Sequence, residues 1–552
     1  MSTGHLNALW CRAIAQELAH VAGQAVLCPG SRNAPLLYAL DAQFGVRALS
    51  HIDERSGAFM ALGGARTGRP ALLCVTSGSA LHHAAPAVAE AAASGAGLIV
   101  VAADRPRELH GCRAPQTADQ LRAVAEWTRI IDLPEPIADD RALRSLRARI
   151  ARLADVRGPV LINVPLREPL MPEAGDAPNW PGLSALARDG RPEGASYAHR
   201  PPGSIERHGA PRGVITAGYG CQPASVARLA NLTGHPILAD AASGMRGRND
   251  LRIVAHADAI IAGSPDGLRP DIIWQCGDVP MSRAVYEWLD DCAAQGSQWV
   301  GGEEDGVDRD WLARASFVLT PAFWAMQKIE RHQPTEEQHR YNACWNSADA
   351  RIAQRLPALM RDEPWGEVLA AHLVCAACDA GVRLMAANSM AVRHVNLHLR
   401  TGLDCIANRG LNGIDGQLAT AVGLARSGTT PVWLLTGDVA ALHDLPALHA
   451  LRQAGGSGAI IVLDNGGGGI FDFLPVSRHA AYAERVRTPT VVDWAALAQA
   501  FGLGFHGCRD RAALEAALAG SRRPGWRLIV CDVRGSDTVA RHRALLAALA
   551  KP

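Results

Sequence analysis

Short β-rich runs that stop on Gly, Pro, Ser or Asp, then give way to Ala-rich helical runs, recur from one end of the chain to the other. That alternation is the strongest constraint on what the chain can fold into. Ala25–Cys28 reads as a buried strand ending at Pro29-Gly30, and a helix is expected over 33–42. The strands Arg47–His51, Ala71–Thr76 and Leu98–Ala103 follow, with helices over 56–67 and 80–93 between them. Strand–loop–helix repeats of this length favour parallel sheets covered by helices on both faces. The pattern lapses around Glu168–Pro202, where Pro, Gly, Asp and Arg dominate. It resumes with strand candidates Gly213–Ala217, Pro236–Asp240, Asp258–Ala262, Asp271–Gln275 and Gln298–Gly301. A last group comprises Arg383–Ala387, Pro431–Thr436, Ala459–Leu463 and Trp526–Val533. The expected fold class is therefore α/β, with three consecutive parallel-sheet domains over 1–175, 206–345 and 346–552 and a linker over 176–205. In such sheets ligands sit beyond the carboxyl ends of the strands.

Charge excludes some functions. The formal net charge is +1, which gives no reason to expect nucleic acid or an anionic membrane. Lys328 and Lys551 are the only lysines, so any anion site must use Arg, His or backbone N–H groups. The 13 cysteines are an odd number and read as scattered reduced thiols, which fits a cytoplasmic enzyme. No signal-peptide pattern is visible at the start, and no apolar run approaches the roughly 18 residues of a membrane span.

The chemistry concentrates at two strand ends. Pro431–Thr436 runs into Gly437-Asp438, and Ala459–Leu463 runs into Asp464-Asn465 and four glycines, Gly466 to Gly469. Asp438 and Asn465 lie 27 positions apart, the distance for two parallel neighbours joined by one helix. A carboxylate, an amide oxygen and the backbone carbonyl of Gly467 are hard oxygen ligands that suit Mg²⁺, with phosphate and water completing the octahedron. Glycines let backbone approach a diphosphate and offer N–H donors. The bland alternative is that GD and NG are turn dipeptides. A Gly-Asp after a strand, followed at this spacing by Asn, resembles the cofactor signature of thiamine-diphosphate enzymes. Their chemistry needs one further carboxylate, hydrogen-bonded to N1′ of the aminopyrimidine and supplied by another domain. Glu54, after the strand Arg47–His51 and before an Ala/Gly-rich helix, fits that catalytic and cofactor-binding place. On local grounds alone it reads as a helix-start acid favoured by the macrodipole, and its place in the larger pattern makes the case for catalysis.

Taken together, the segments resemble the 2-succinyl-5-enolpyruvyl-6-hydroxy-3-cyclohexene-1-carboxylate (SEPHCHC) synthase, or MenD, family of thiamine-diphosphate enzymes. The matching stretches are Pro29-Gly30-Ser31-Arg32, Asp53-Glu54-Arg55, Thr76-Ser77-Gly78-Ser79, and Ala103-Asp104-Arg105-Pro106. Later come Asn388-Ser389 with Arg393, Asn408-Arg409-Gly410, Gly413-Ile414-Asp415-Gly416, and Gly467-Gly468-Gly469-Ile470-Phe471. The resemblance implies the three-domain thiamine-diphosphate fold, with thiamine diphosphate and Mg²⁺ as cofactors and Mn²⁺ as a substitute ion. It also implies a homodimer or homotetramer with sites at the subunit interface. The implied reaction decarboxylates 2-oxoglutarate and joins the remaining carbons to isochorismate, in menaquinone biosynthesis. Asp438, Asn465 and Gly467 would hold the metal; Ser389, Asp415, Ile470 and Phe471 would join Glu54 on the cofactor. The substrates' carboxylates would meet Arg32, Arg105, Arg283, Arg393 and Arg409, since guanidinium forks bind carboxylates bidentately. Ser31, Gln116 and Ser389 would add neutral hydrogen bonds, and Ile470, Phe471 and Leu474 an apolar wall.

The chain departs from the family pattern in three places. Asp464 and Gly466 flank Asn465 where the family shows an Asn run, Pro115 precedes Gln116 in place of Asn, and Arg283 stands for a Lys. Two rivals remain. An acetohydroxyacid-synthase-like enzyme would use a different acceptor, against which the arginines argue. A non-catalytic nucleotide-binding protein is hinted at by Gly218-Tyr219-Gly220, which lacks the third glycine and reads as a tight turn.

Overall fold

The computed structural model describes residues 2–151, 153–154, 156–172, 180, 182–190, 210–263, 267–278, 280–302, 317–319 and 334–551. Much of the expected linker, 176–205, lies outside the described residues. Among the described residues there are three six-stranded sheets, and every strand pairing in them is parallel.

The first sheet runs in the order β2-β1-β3-β4-β6-β5. Its strands are β1 (Ala25–Leu27), β2 (Ala48–Ser50), β3 (Ala71–Val75), β4 (Leu98–Asp104), β5 (Arg129–Asp132) and β6 (Val160–Pro165). β3, β4 and β6 are buried along their whole length, hence their unbroken apolar runs rather than alternation. The second sheet, in the order β12-β11-β10-β7-β8-β9, uses β7 (Gly213–Ala217), β8 (Ile237–Ala239), β9 (Ile253–Val254), β10 (Ile272–Cys276), β11 (Gln298–Gly302) and β12 (Phe317–Leu319). The third, β14-β13-β15-β16-β18-β17, uses β13 (Arg383–Ala386), β14 (Cys405–Ile406), β15 (Val432–Gly437), β16 (Ser457–Asp464), β17 (Gly504–Cys508) and β18 (Gly525–Asp532).

Asp258–Ala262, expected as a strand, is instead the end of a helix, Ala257–Ala262. A short apolar run does not declare its own period. The residues just before this helix are held from a distance: Asp349 Oδ1, on the helix Glu336–Arg361, accepts the backbone N–H groups of Ala255 and His256, each at 2.9 Å. All thirteen cysteines are free, and two of them, Cys375 and Cys378, form a Cys-x-x-Cys. Both are buried and free, and burial pushes the Cys378 thiol up to about 12. They are core residues, not a redox pair. Among the described residues no helix is long and apolar enough to cross a membrane.

By compactness the chain divides into two units. One holds residues 1–200 together with 415–429 and 443–456; the other holds 201–414, 430–442 and 457–552. The first unit thus takes the helices Gln417–Arg426 and Ala447–Ala454 from the C-terminal third of the sequence. Glycine explains how closely Gln417–Arg426 meets the helix Glu54–Ala65. A Cβ on Gly63 would overlap the Thr420 carbonyl, and one on Gly423 would overlap the Met60 carbonyl. Gly416, at φ +66°, sits flat on the Phe59 ring. Gly423→Val is therefore expected to force the two helices apart, at an overpacking cost of about 1–3 kcal/mol. Its urea midpoint should fall; an unchanged midpoint would contradict this packing.

Candidate active site

The second unit carries a cavity of about 390 Å³ at the carboxyl ends of β13, β15 and β16. Its depth follows from strand register. β15 pairs with β16 so that Gly437 lies opposite Leu463, which brings the next residues, Asp438 and Asp464-Asn465, side by side. Asp438 is 1% exposed. Its Oδ2 accepts the Gly467 N–H at 2.7 Å and the Thr490 hydroxyl at 2.6 Å. Burial pushes the Asp438 carboxyl up, and the Thr490 bond opposes the shift. Gly467, at φ +139°, is required: a Cβ there would come within 2.6 Å of the Arg487 carbonyl. Arg487 ties the turn down by donating to the carbonyls of Asn465 and Gly466, both at 3.2 Å, and by pairing with Asp472.

Asn465 donates its Nδ2 to Glu367 at 3.1 Å, while its Oδ1 is buried and accepts no hydrogen bond from the described residues. A carboxylate, an unclaimed amide oxygen and a Gly-rich turn at one end of a cavity form an oxygen-only donor set, which fits a small hard cation. No group of three His, Cys, Asp or Glu with metal-binding geometry occurs among the described residues.

Cations line the same cavity. Arg393 and Arg409 both face it, and burial, then the neighbouring Arg409 charge, lowers the Arg393 guanidinium. Two like charges so placed call for anionic guests. Arg409 bonds Asn388 Oδ1 at 2.9 Å, and Asn388 in turn donates to the carbonyls of Asn408 and Gly413, each at 2.7 Å. Arg393 donates to the Ser389 carbonyl at 2.7 Å. Ser389 and Asn412 adopt positive φ, 69° and 58°, conformations that non-glycine residues keep where surroundings over-determine them. Of the sequence-predicted residues, the cavity brings together Ser389, Arg393, Arg409, Asp438, Asn465, Gly467, Ile470 and Phe471. Leu474 is 45% exposed and is not in its lining. Arg283, expected at a substrate, opens the helix Arg283–Ala294; its side chain is 87% exposed and paired with Glu287 one helical turn on. An i,i+4 ion pair on a solvated face explains that position.

The first unit gathers its own predicted residues at the ends of β1, β3 and β4. Arg105 donates to the Ser77 hydroxyl, and the nearby Arg32 charge adds to burial in lowering its guanidinium. Gly78 lies against the Gln116 backbone, and Gln116 itself has φ 55°. Arg32 is more engaged than expected, donating to the Leu166 carbonyl at 2.9 Å and Glu168 at 2.7 Å. The neighbouring Ser31 is exposed. Asp415 precedes the helix Gln417–Arg426 and belongs to this unit.

Glu54 is half-buried and is the first residue of its helix, with Asp53 as N-cap accepting the Ser56 N–H at 2.9 Å. That cap aims the start of the helix. It is bolted further by Asp444, which accepts the Ala419 N–H at 2.8 Å and lies 3.5 Å from the Ser56 hydroxyl. Glu367, Thr490 and Asp444 were not singled out in the sequence. Only Glu367 carries a local signal, an acid opening an apolar helix, and that alone reads as a dipole partner.

Comparison with known proteins agrees with this layout. Residues 12–123 match the family model of the thiamine pyrophosphate enzyme N-terminal TPP binding domain, and residues 386–531 that of the C-terminal TPP binding domain. A 2-succinyl-5-enolpyruvyl-6-hydroxy-3-cyclohexene-1-carboxylate synthase of Myxococcus xanthus is 34% identical, covering 100% of this chain and 98% of the relative. Proteins of the same name from Geobacillus kaustophilus and a Synechococcus are 34% and 36% identical, over 95% and 90% of this chain and 94% and 89% of theirs.

Burial pushes the Asp444 carboxyl up to about 7, with Arg55 and backbone donors opposing. Unfolded Asp titrates near 3.9. The native state therefore holds the extra proton, and this group's contribution to stability falls as pH rises from about 4 to about 7. Asp444→Asn removes that slope. Its Tm relative to the unsubstituted protein should improve between about pH 5 and about pH 8; a difference constant across that range would contradict the assignment.

Proposed function

Because the chain belongs to the SEPHCHC synthase family of thiamine-diphosphate enzymes, we propose that it condenses 2-oxoglutarate with isochorismate, releasing CO₂, as a step of menaquinone biosynthesis. One observation carries the reading. A single cavity holds an oxygen-only donor set, Asp438, Asn465 and the Gly467 turn, beside two guanidinium groups, Arg393 and Arg409.

Asp438, the Asn465 amide oxygen and the Gly467 carbonyl would hold Mg²⁺, with the diphosphate against the glycine turn. When bound, thiamine diphosphate supplies the electron sink that decarboxylation of a 2-oxo acid requires. Ser389, Asp415, Ile470 and Phe471 would orient the cofactor. Glu54 would accept a hydrogen bond at N1′ of the aminopyrimidine and hold a proton there, toward cofactor bound by the partner subunit of a homodimer or homotetramer. Arg393 and Arg409 would pair with substrate carboxylates, as would Arg105 from the first unit. The Ile470–Phe471 wall would keep water from the reacting carbons. Arg32 supports the first-unit pocket while bonded to Glu168. Arg283 and Leu474 lie outside this cavity lining. The reading carries with it a cytoplasmic enzyme.

The test is product and CO₂ formation from 2-oxoglutarate and isochorismate, with the cofactor and Mg²⁺ omitted in turn. Turnover only with both, and only with isochorismate as acceptor, is expected. Turnover with a small 2-oxo acid as acceptor would overturn the substrate assignment in favour of an acetohydroxyacid-synthase-like enzyme. Glu54→Gln should retain calorimetric binding of the cofactor while losing about 10²–10⁴-fold in kcat, the range of a positioned acid–base group. Near-normal kcat in that variant would remove Glu54 from the mechanism.

A further inference from the structure

Three donors converge on one buried carboxylate at the edge of the cavity. Glu367 opens the helix Glu367–Ala377 and is 3% exposed. Its Oε2 accepts from Asn465 Nδ2 at 3.1 Å and from the Thr538 hydroxyl at 3.3 Å. Its Oε1 lies 3.3 Å from Nε2 of His394, which is fully buried in the helix Met390–His398. The donors therefore come from the turn after β16, from the start of the helix Thr538–Leu549, and from a third helix.

An ionised carboxylate can only accept. It can therefore meet only the NH₂ end of the Asn465 amide, and the oxygen end is turned away from it. That oxygen is the buried Oδ1 with no hydrogen-bond partner. Gly469 keeps the arrangement open, since a Cβ there would come within 2.5 Å of Nδ2.

We propose that Glu367 is a positioning residue for the bound cation: by claiming the amide nitrogen of Asn465 it commits the amide oxygen to the metal. The inference rests on the reading of Asp438, Asn465 and Gly467 as Mg²⁺ ligands. The two ends of an Asn amide are nearly alike in shape, and the flipped side chain would turn N–H groups toward a cation. Fixing the correct end in advance spares the cation that reorientation, as groups behind metal ligands commonly do. His394 and Thr538 hold Glu367 in turn.

The test is calorimetric titration of Mg²⁺ into protein supplied with excess thiamine diphosphate and no substrate. Glu367→Gln offers an amide that donates as readily as it accepts, and should weaken Mg²⁺ binding about 10- to 100-fold. In an Asn465→Asp background the same substitution should cost nothing further, because a carboxylate has no wrong end. Equal losses in both backgrounds would mark Glu367 as a fold-supporting residue and overturn the proposal, as would unchanged affinity for Glu367→Gln alone. If Glu367→Gln does not fold, Glu367→Asp, which withdraws the charge by one methylene, takes its place with the same expectation. Asn465→Ala separates the two readings. Its loss of affinity upholds the ligand assignment whatever Glu367 does; its binding Mg²⁺ normally would sink that assignment and the proposal with it.

Discussion

The hydrogen-bonded register between β15 and β16 is the constraint on which the candidate site depends. Placing Gly437 opposite Leu463 brings a carboxylate and an amide, 27 positions apart in sequence, to one corner of a cavity. A one-residue slip of either strand would turn its side chains to the opposite face and part the two residues. The Gly467 N–H bond to Asp438 then locks the glycine turn to the end of the neighbouring strand. The turn could not be built with side chains, because the Arg487 and Thr488 carbonyls occupy the space where a Cβ at 467 would sit.

Around that corner, charge is arranged in layers. Asp438 is buried and bonded only to neutral donors at Oδ2, so a cation would be its natural complement. Arg393 and Arg409 lie in the same cavity lining, poised for anions. A divalent cation would complement the first set and substrate carboxylates the second, so that metal and substrate charges are met in one cavity. The first unit repeats the strategy with Arg105 near Arg32, but there Glu168 already offsets part of the charge.

The sequence reading recovered what is written locally. β7, β15 and β16 fall within two residues of their expected bounds, because runs buried on both faces are apolar throughout and stop at Gly or Asp. The glycine turn, Asp438 and Asn465 were legible for the same reason. What it missed depends on partners far away in the chain. Asp349 holds the backbone just before the helix at Ala257–Ala262, and the orientation of Asn465 is set by Glu367, about a hundred positions upstream. Gln417–Arg426 packs with the first unit because Gly63 and Gly423 let two helices nearly touch, which no linear pattern announces. Arg283 was placed by resemblance alone, and no local sign in the sequence marked its ion pair with Glu287.

The most direct measurement is a crystal structure of the protein grown with thiamine diphosphate and Mg²⁺. The account predicts one metal ion bonded to an Asp438 carboxylate oxygen, Asn465 Oδ1 and the Gly467 carbonyl, with the remaining ligands from diphosphate and water. A cofactor bound elsewhere, or a metal held without Asp438 and Asn465, would contradict it.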